Sequence, residues 1–194
     1  MKKIFSVITF GLIFGSSLFA DNIIGVDYVL SKNTFKRTWL KNTTEVVNDS
    51  SAVKINYGIG SKLNNLIIQT YLLFEEYDNG INQPTSSKYS EFGVELIKGI
   101  DITRDISTFA KIGIGTGSYD YTYTNDANQD GSLSSWNVKV GLGLMYKFSM
   151  FDFHVGLDYQ SKSLEDIYYS TPINESLQIE ESSTKMYIGT NIWF

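Results

Sequence analysis

From Trp136 to Phe148 every even position is apolar or aromatic: Trp136, Val138, Val140, Leu142, Leu144, Tyr146 and Phe148. The odd positions between them are Asn137, Lys139, Gly141, Gly143, Met145 and Lys147. A period of two belongs to an extended strand, whose side chains alternate between faces, and no amphipathic helix produces it. A tilted strand of about 9 to 11 residues crosses a bilayer. A strand apolar on one face and polar on the other is therefore read as facing lipid outside and a polar interior inside.

The same alternation recurs in seven further segments, at 24–30, 53–59, 66–74, 88–98, 108–119, 151–160 and the final strand through Phe194. The expected fold is all-β, an eight-stranded antiparallel up-and-down transmembrane β-barrel. Closure has a physical cause, because an open sheet edge in hydrocarbon leaves backbone groups unpaired at several kcal/mol each. The connections are expected to alternate: long at 32–51, 75–87, 120–135 and 161–182, short at 61–65, 99–107 and 149–150. Short periplasmic turns, longer external loops and two periplasmic termini follow from that layout.

Residues 1–20 read as a secretory signal peptide, with basic Lys2 and Lys3, an apolar run from Ile4 to Ile13, and small residues before a cut after Ala20. The apolar run is too short to span a bilayer as a helix. The expected domains are thus 1–20, removed, and 21–194, the barrel. The chain without its signal carries 14 Lys and Arg against 21 Asp and Glu, which argues against nucleic acid as a partner. With no cysteine there is neither a disulfide nor a thiolate metal site. No cofactor is expected.

Two stretches carry a resemblance: Val140-Gly-Leu-Gly-Leu-Met-Tyr-Lys-Phe148 and the terminal Tyr187-Ile-Gly-Thr-Asn-Ile-Trp-Phe194. The chain resembles the small eight-stranded outer-membrane proteins of Gram-negative bacteria, related to the OmpA-type transmembrane domain and the opacity-type surface proteins. The resemblance implies a multi-pass protein of the outer membrane. It also implies that Tyr187, Ile188, Ile192 and Phe194 form the signal read by the barrel assembly machinery. Implied partners are outer-membrane lipid and lipopolysaccharide, the assembly machinery with its periplasmic chaperones, and an extracellular ligand or host surface.

Strand parity sends a charged set inward: Asp27, Lys54, Glu91, Glu95, Lys111, Lys139, Asp158 and Lys185, with Lys147 and Asp152. An eight-stranded barrel is just wide enough for side chains to fill, and buried charges persist when paired. A lumen plugged by cross-barrel ion pairs is the first reading. A narrow conducting path, given room by inward glycines, is the second. Aromatics near segment ends are expected to form two interfacial girdles: Tyr146, Phe148, Phe151, Phe153, Trp193 and Phe194 at one end, Tyr77, Tyr89, Tyr119, Tyr121, Tyr123, Trp136 and Tyr159 at the other.

Asp126, Asn128 and Asp130, followed by Gly131, reproduce the first half of a calcium loop. Asn137 stands where the bidentate Glu belongs, so the set is a weak metal candidate beside an ordinary turn. His154, the single histidine, has no serine placed to be activated, and a lumen histidine bonded to an acid is the simpler account. Gly113-Ile-Gly-Thr-Gly117 leads into Tyr119 and not a helix, so it is no phosphate loop. No enzymatic activity is expected. The leading functional expectation is an integral protein that stabilises the envelope and presents surface loops for recognition or adhesion. A narrow small-solute porin-like channel comes second, and a lipid A-modifying enzyme third.

Overall fold

A computed structural model describes residues 21–39, 42–61, 65–78, 86–122, 130–169 and 175–194. Residues 1–20, and with them the expected signal peptide, lie outside that set, as do Asp126 and Asn128 of the calcium candidate. Nine strands occur, and no helix, among the described residues. They are β1 (Asp21–Trp39), β2 (Asn42–Ser61), β3 (Leu66–Tyr77), β4 (Ser86–Asp101), β5 (Ile106–Thr122), β6 (Asp130–Phe148), β7 (Phe151–Leu164), β8 (Ile167–Tyr169) and β9 (Glu175–Trp193).

Each strand from β1 to β6 pairs antiparallel with the next, β7 pairs with β9, and β9 returns to β1. Eight strands thus close one antiparallel ring. Strand β8 is a short continuation of β7 along β9, after a break at 165–166 that shifts the register by one residue. The break is a bulge beyond the last β7 pair, Ser163 with Glu180.

The stagger of the ring can be walked partner by partner. Gly25 faces Asn56, Asn56 faces Tyr71, Tyr71 faces Gly93, and Gly93 faces Gly115. Gly115 faces Asn137, Asn137 faces Lys162, Lys162 faces Glu181, and Glu181 faces Phe35. One circuit therefore advances ten residues along β1, from Gly25 to Phe35. For eight strands about 4.8 Å apart and about 3.3 Å per residue, that stagger corresponds to a strand tilt on the order of 40°.

Parity around the circuit is unbroken. Outward positions include Val26, Ile55, Leu72, Phe92, Ile112, Leu142, Leu157 and Ile188, all exposed at 39 to 64 %. Their inward neighbours with side chains, such as Asp27, Lys54, Tyr71, Glu91, Lys111, Asp158 and Tyr187, are buried. A soluble protein would hide such a face; here it encircles the barrel as a continuous apolar band.

The strands are longer than the apolar alternation foretold. Of residues 32–51, expected as a long loop, 32–39 and 42–51 lie in paired strands in which Lys32 meets Asp49 and Trp39 meets Asn42. Beyond the band the outward positions turn polar, so the period-two signal fades while the backbone ladder continues. The inward parity persists there, and Phe35 is fully buried. In two of the three short turns of the opposite end, Asn65 and Ser149 hold left-handed backbone at φ 48° and 53°.

Four girdle assignments are corrected. Tyr77, Tyr89, Tyr119 and Trp193 sit on inward positions and are buried in the lumen. Their nearness to a segment end suggested a girdle, but parity decides the face. Tyr146, Phe148, Phe153, Trp136, Tyr159 and Phe194 do face outward. Tyr123 lies outside the described residues.

Candidate functional site

The inward faces build a filled lumen in three tiers. At the end that carries the short turns, the tier is largely apolar: Ile23, Ile67, Ile97, Phe109, Met145 and Trp193 are buried there. Several of them line a cup of about 50 Å³ rimmed by Lys147. Lys147, expected in the lumen, stands at this rim, where its ammonium donates to Asp101 at 2.7 Å and Asn65 at 2.6 Å. Ile97, Phe109 and Met145 separate the cup from a second cavity of about 20 Å³. That volume has room for about one water. Asn56 and Asn191, whose amide oxygens have no protein partner, line it with Tyr187.

The middle tier is ionic. Lys54 lies 2.8 Å from Asp27 and 3.2 Å from Glu95. Lys111 is 2.8 Å from Asp158, and Lys139 reaches Glu95 at 3.1 Å and Glu91 at 3.4 Å. Tyr71 donates to Glu91, whose other oxygen accepts from Gln160 at 2.9 Å. Gln69 donates to Glu95 at 2.7 Å. His154 joins this tier to the turn end: Nε2 is 2.8 Å from Asp27 and Nδ1 is 3.4 Å from Asp152. Asp152 in turn accepts from Trp193 Nε1 at 2.6 Å and Asn191 at 2.8 Å.

The third tier adds to Lys185, expected inward, three charged residues of stretches expected as loops: Glu75, Lys162 and Glu181. Lys162 lies 3.0 Å from Glu181 and donates to Tyr77 at 3.1 Å, while Lys185 lies 2.9 Å from Glu75. Glu75 also accepts from Ser50 at 2.6 Å, and Ser50 accepts from Asn33 at 2.7 Å. Phe35, Tyr77 and Tyr119 pack above them with ring centroids 5.4 to 6.1 Å apart. Of the expected charged set, Asp27, Lys54, Glu91, Glu95, Lys111, Lys139 and Asp158 are placed together in the middle tier, and Lys185 in the upper one. Glu75, Lys162 and Glu181 fell within stretches read as loops. The parity that carries Leu73 inward carries Glu75 inward as well, so counting on by two would have found it.

A recurring arrangement holds the lysines. Lys139 sits 3.5 Å from the Tyr71 ring centre, Lys111 3.8 Å from that of Tyr187, and Lys162 3.6 Å from that of Tyr89. Each tyrosine occupies the space that a side chain on a neighbouring glycine would need: Gly93 under Tyr71, Gly156 under Tyr187 and Gly117 under Tyr89. The missing side chain lets the ring lie against the wall, and the ring face then holds an ammonium where water cannot. Carboxylates complete each unit, so the burial of charge is offset by pairing.

Tyr187 of the expected assembly signal thus faces the lumen, while Ile188, Ile192 and Phe194 face outward. The end of the chain is also tied by backbone. Phe194 N–H donates to Asn22 at 3.0 Å, Asn22 N–H returns to Phe194 at 2.9 Å, and Trp193 N–H reaches Met150 at 2.8 Å. No group of acids and histidines among the described residues is arranged to hold a metal ion. Asp130 opens β6, and the rest of the calcium candidate lies outside the described residues.

The ring aligns with solved outer-membrane barrels. Neisserial surface protein A aligns over 90 % of this chain and 99 % of its own, with a TM-score of 0.57 and 14 % identity. OprG from Pseudomonas aeruginosa aligns over 91 % and 96 %, at 0.59 and 12 %. The fold is that of a small eight-stranded outer-membrane β-barrel. AlkL, solved in lipid bilayers, aligns over 91 % of this chain and 90 % of its own at 0.51 and 12 % identity. No protein-family model matches the sequence, and no curated protein matches it. At such identities the agreement concerns the barrel architecture, which the ring and its apolar band define independently.

Proposed function

We propose that this chain is a non-conducting outer-membrane protein that anchors an extended, loop-bearing wall at the cell surface, with both termini in the periplasm. The observation that carries the reading is the filling of the lumen. An ion-paired middle tier lies between the apolar tier of Ile67, Phe109 and Trp193 and the aromatic tier of Phe35, Tyr77 and Tyr119. Solute would have to break several buried ion pairs to pass, each break leaving uncompensated charge at a cost of about 3 to 5 kcal/mol. That supports an anchor over a porin-like channel. His154, held between Asp27 and Asp152, supports a structural histidine over a lipid A-modifying catalyst.

The wall beyond the apolar band supports the recognition role. Strands β1 and β2 continue to Trp39 and Asn42, well past the last lipid-facing residues Leu30 and Val53. Binding surfaces favour loops on rigid supports, and these strands supply such a support on the side of the longer connections. The partners of this reading are lipopolysaccharide around the band, the assembly machinery during insertion, and a surface ligand at the loops.

Planar-bilayer recording of refolded protein tests the anchor: silence is expected, and steady discrete openings would replace it with the channel. Orientation is tested in intact cells, where the absence of native cysteine gives a clean background. Ser132→Cys, beside the longer connections, should label with an impermeant maleimide, and Arg104→Cys, in a short turn, should not. The reverse pattern would invert the topology.

A further inference from the structure

Gly93, Gly117 and Gly156 each have a tyrosine laid over them, whereas Gly99, inward by the same parity, has no ring above it. The atoms nearest to where a side chain of Gly99 would begin are Asn65 Cβ at 3.1 Å and the carbonyls of Thr108 and Asn65 at 3.5 and 3.6 Å. Small Ser107 and Ser149 leave further room beside it, and the result is the cup of about 50 Å³ at the turn end. Its floor is Ile97, Phe109 and Met145, and Ile67 and Trp193 complete an apolar lining that is buried throughout. Lys147 stands at the mouth. An ammonium carries three donors; two of those on Lys147 reach Asn65 and Asp101, and the third has no acceptor among the described residues.

An apolar recess with a converging polar group has the form of a small-molecule site. Its size and charge then select the guest. An enclosed apolar cavity of about 150 Å³ takes a benzene, so a cup of about 50 Å³ takes only the end of a molecule: a ring edge, a methyl or a branched alkyl group. The Asp101 carboxylate, 2.7 Å from the Lys147 ammonium, balances it, so the mouth offers no net charge to an anion, and a cation would meet Lys147 directly. We propose that the cup binds the apolar end of a small uncharged molecule, an aromatic or branched alcohol, ketone or amide, whose oxygen accepts the free N–H of Lys147. The barrel is thus closed to passage yet receptive at its turn end, which faces the periplasm in the proposed orientation. Binding itself does not depend on that orientation.

The barrel refolded in lipid nanodiscs, with Trp39→Phe and Trp136→Phe leaving Trp193 as the single tryptophan, tests the site with para-bromobenzyl alcohol. Its bromine is about the size of a methyl group and quenches an indole on contact. Saturable quenching of Trp193 is expected, reversed by excess para-methylbenzyl alcohol, which has the same shape and no heavy atom. Ile67→Phe fills the cup and should weaken binding by roughly tenfold or more, as for a methylene-sized misfit in an apolar pocket. Gly99→Ala, a milder change, should weaken it in the same direction, and heat-modifiable migration reports folding of both. Para-bromobenzylamine, charged at neutral pH, should bind roughly tenfold more weakly than the alcohol, and Lys147→Met should erase that preference. Quenching that rises linearly without saturation, resists the competitor or is unchanged in the filled variants is partition into lipid and would overturn the site. Absence of quenching in the folded parent would overturn it as well, and a preference that survives Lys147→Met would remove Lys147 from it.

Discussion

Tyr71 and Gly93 are direct cross-strand partners, and the hydroxyl end of the tyrosine fills the space above the glycine that any side chain would claim. The same hydroxyl donates to Glu91, so the ring is pinned at both ends of its reach. Gly93→Ala should push Tyr71 off the wall and away from Glu91. The expected loss is about 1 to 3 kcal/mol, as for overpacking in a dense core. Urea unfolding in lipid vesicles measures it, and Gly99→Ala, where the nearest atom is Asn65 Cβ at 3.1 Å, should cost less.

Lys162 and Glu181 are fully buried and 3.0 Å apart. Replacing the lysine alone, as Lys162→Met, strands a carboxylate in the lumen and should cost about 3 to 5 kcal/mol. The double variant Lys162→Met/Glu181→Leu should recover more than half of that loss in the same unfolding assay. A double variant no better than the single one would mean that hydrogen bonds to Tyr77 and Ser183 dominate, not charge balance.

Asp152 gathers Trp193 and Asn191, fastening the last strand to β7. Asp152→Ala removes the acceptor of both buried donors and should destabilise by about 2 to 4 kcal/mol, at 1 to 3 kcal/mol for each donor left unsatisfied less partial rescue by water. With Trp39 and Trp136 changed to Phe, Trp193 emission should shift to longer wavelength as water reaches the turn end. Unchanged emission would show that the backbone ties of Trp193 and Phe194 suffice.

Leu142 lies midway along the outward run of β6, between Ala110 and Leu157 in register. Leu142→Arg should cost about 2 to 4 kcal/mol in vesicles, as expected for a charge at the bilayer midplane. Ser134→Arg, outward on the same strand but beyond the band, should cost less than about 1 kcal/mol. Equal costs would place lipid against Ser134 and move the boundary.

The ring was legible because lipid forces the outward positions of eight segments to be apolar, and the clean run from Trp136 to Phe148 announces the period. Where lipid ends, that pressure ends. The polar outer face of residues 32–39 and 42–51 therefore concealed a strand pairing, and the stretches 75–87 and 161–182, expected as loops, hid Glu75, Lys162 and Glu181. Parity identified Asp27, Lys54 and Glu95 as inward but could not say which would meet, because partners come from strands far apart in the chain and the stagger sets their heights. Tyr77, Tyr89, Tyr119 and Trp193 were misplaced by weighing position along a strand above parity.

The ten-residue advance per circuit has a consequence for how such a chain can diverge. Adding or deleting a single residue inside any spanning strand would turn its oily side chains inward and its lysines into the acyl layer, and would leave the seam out of step by an odd number. Length changes in this molecule should accordingly accumulate in the connections or arrive in pairs, and comparison of homologous chains can check that rule.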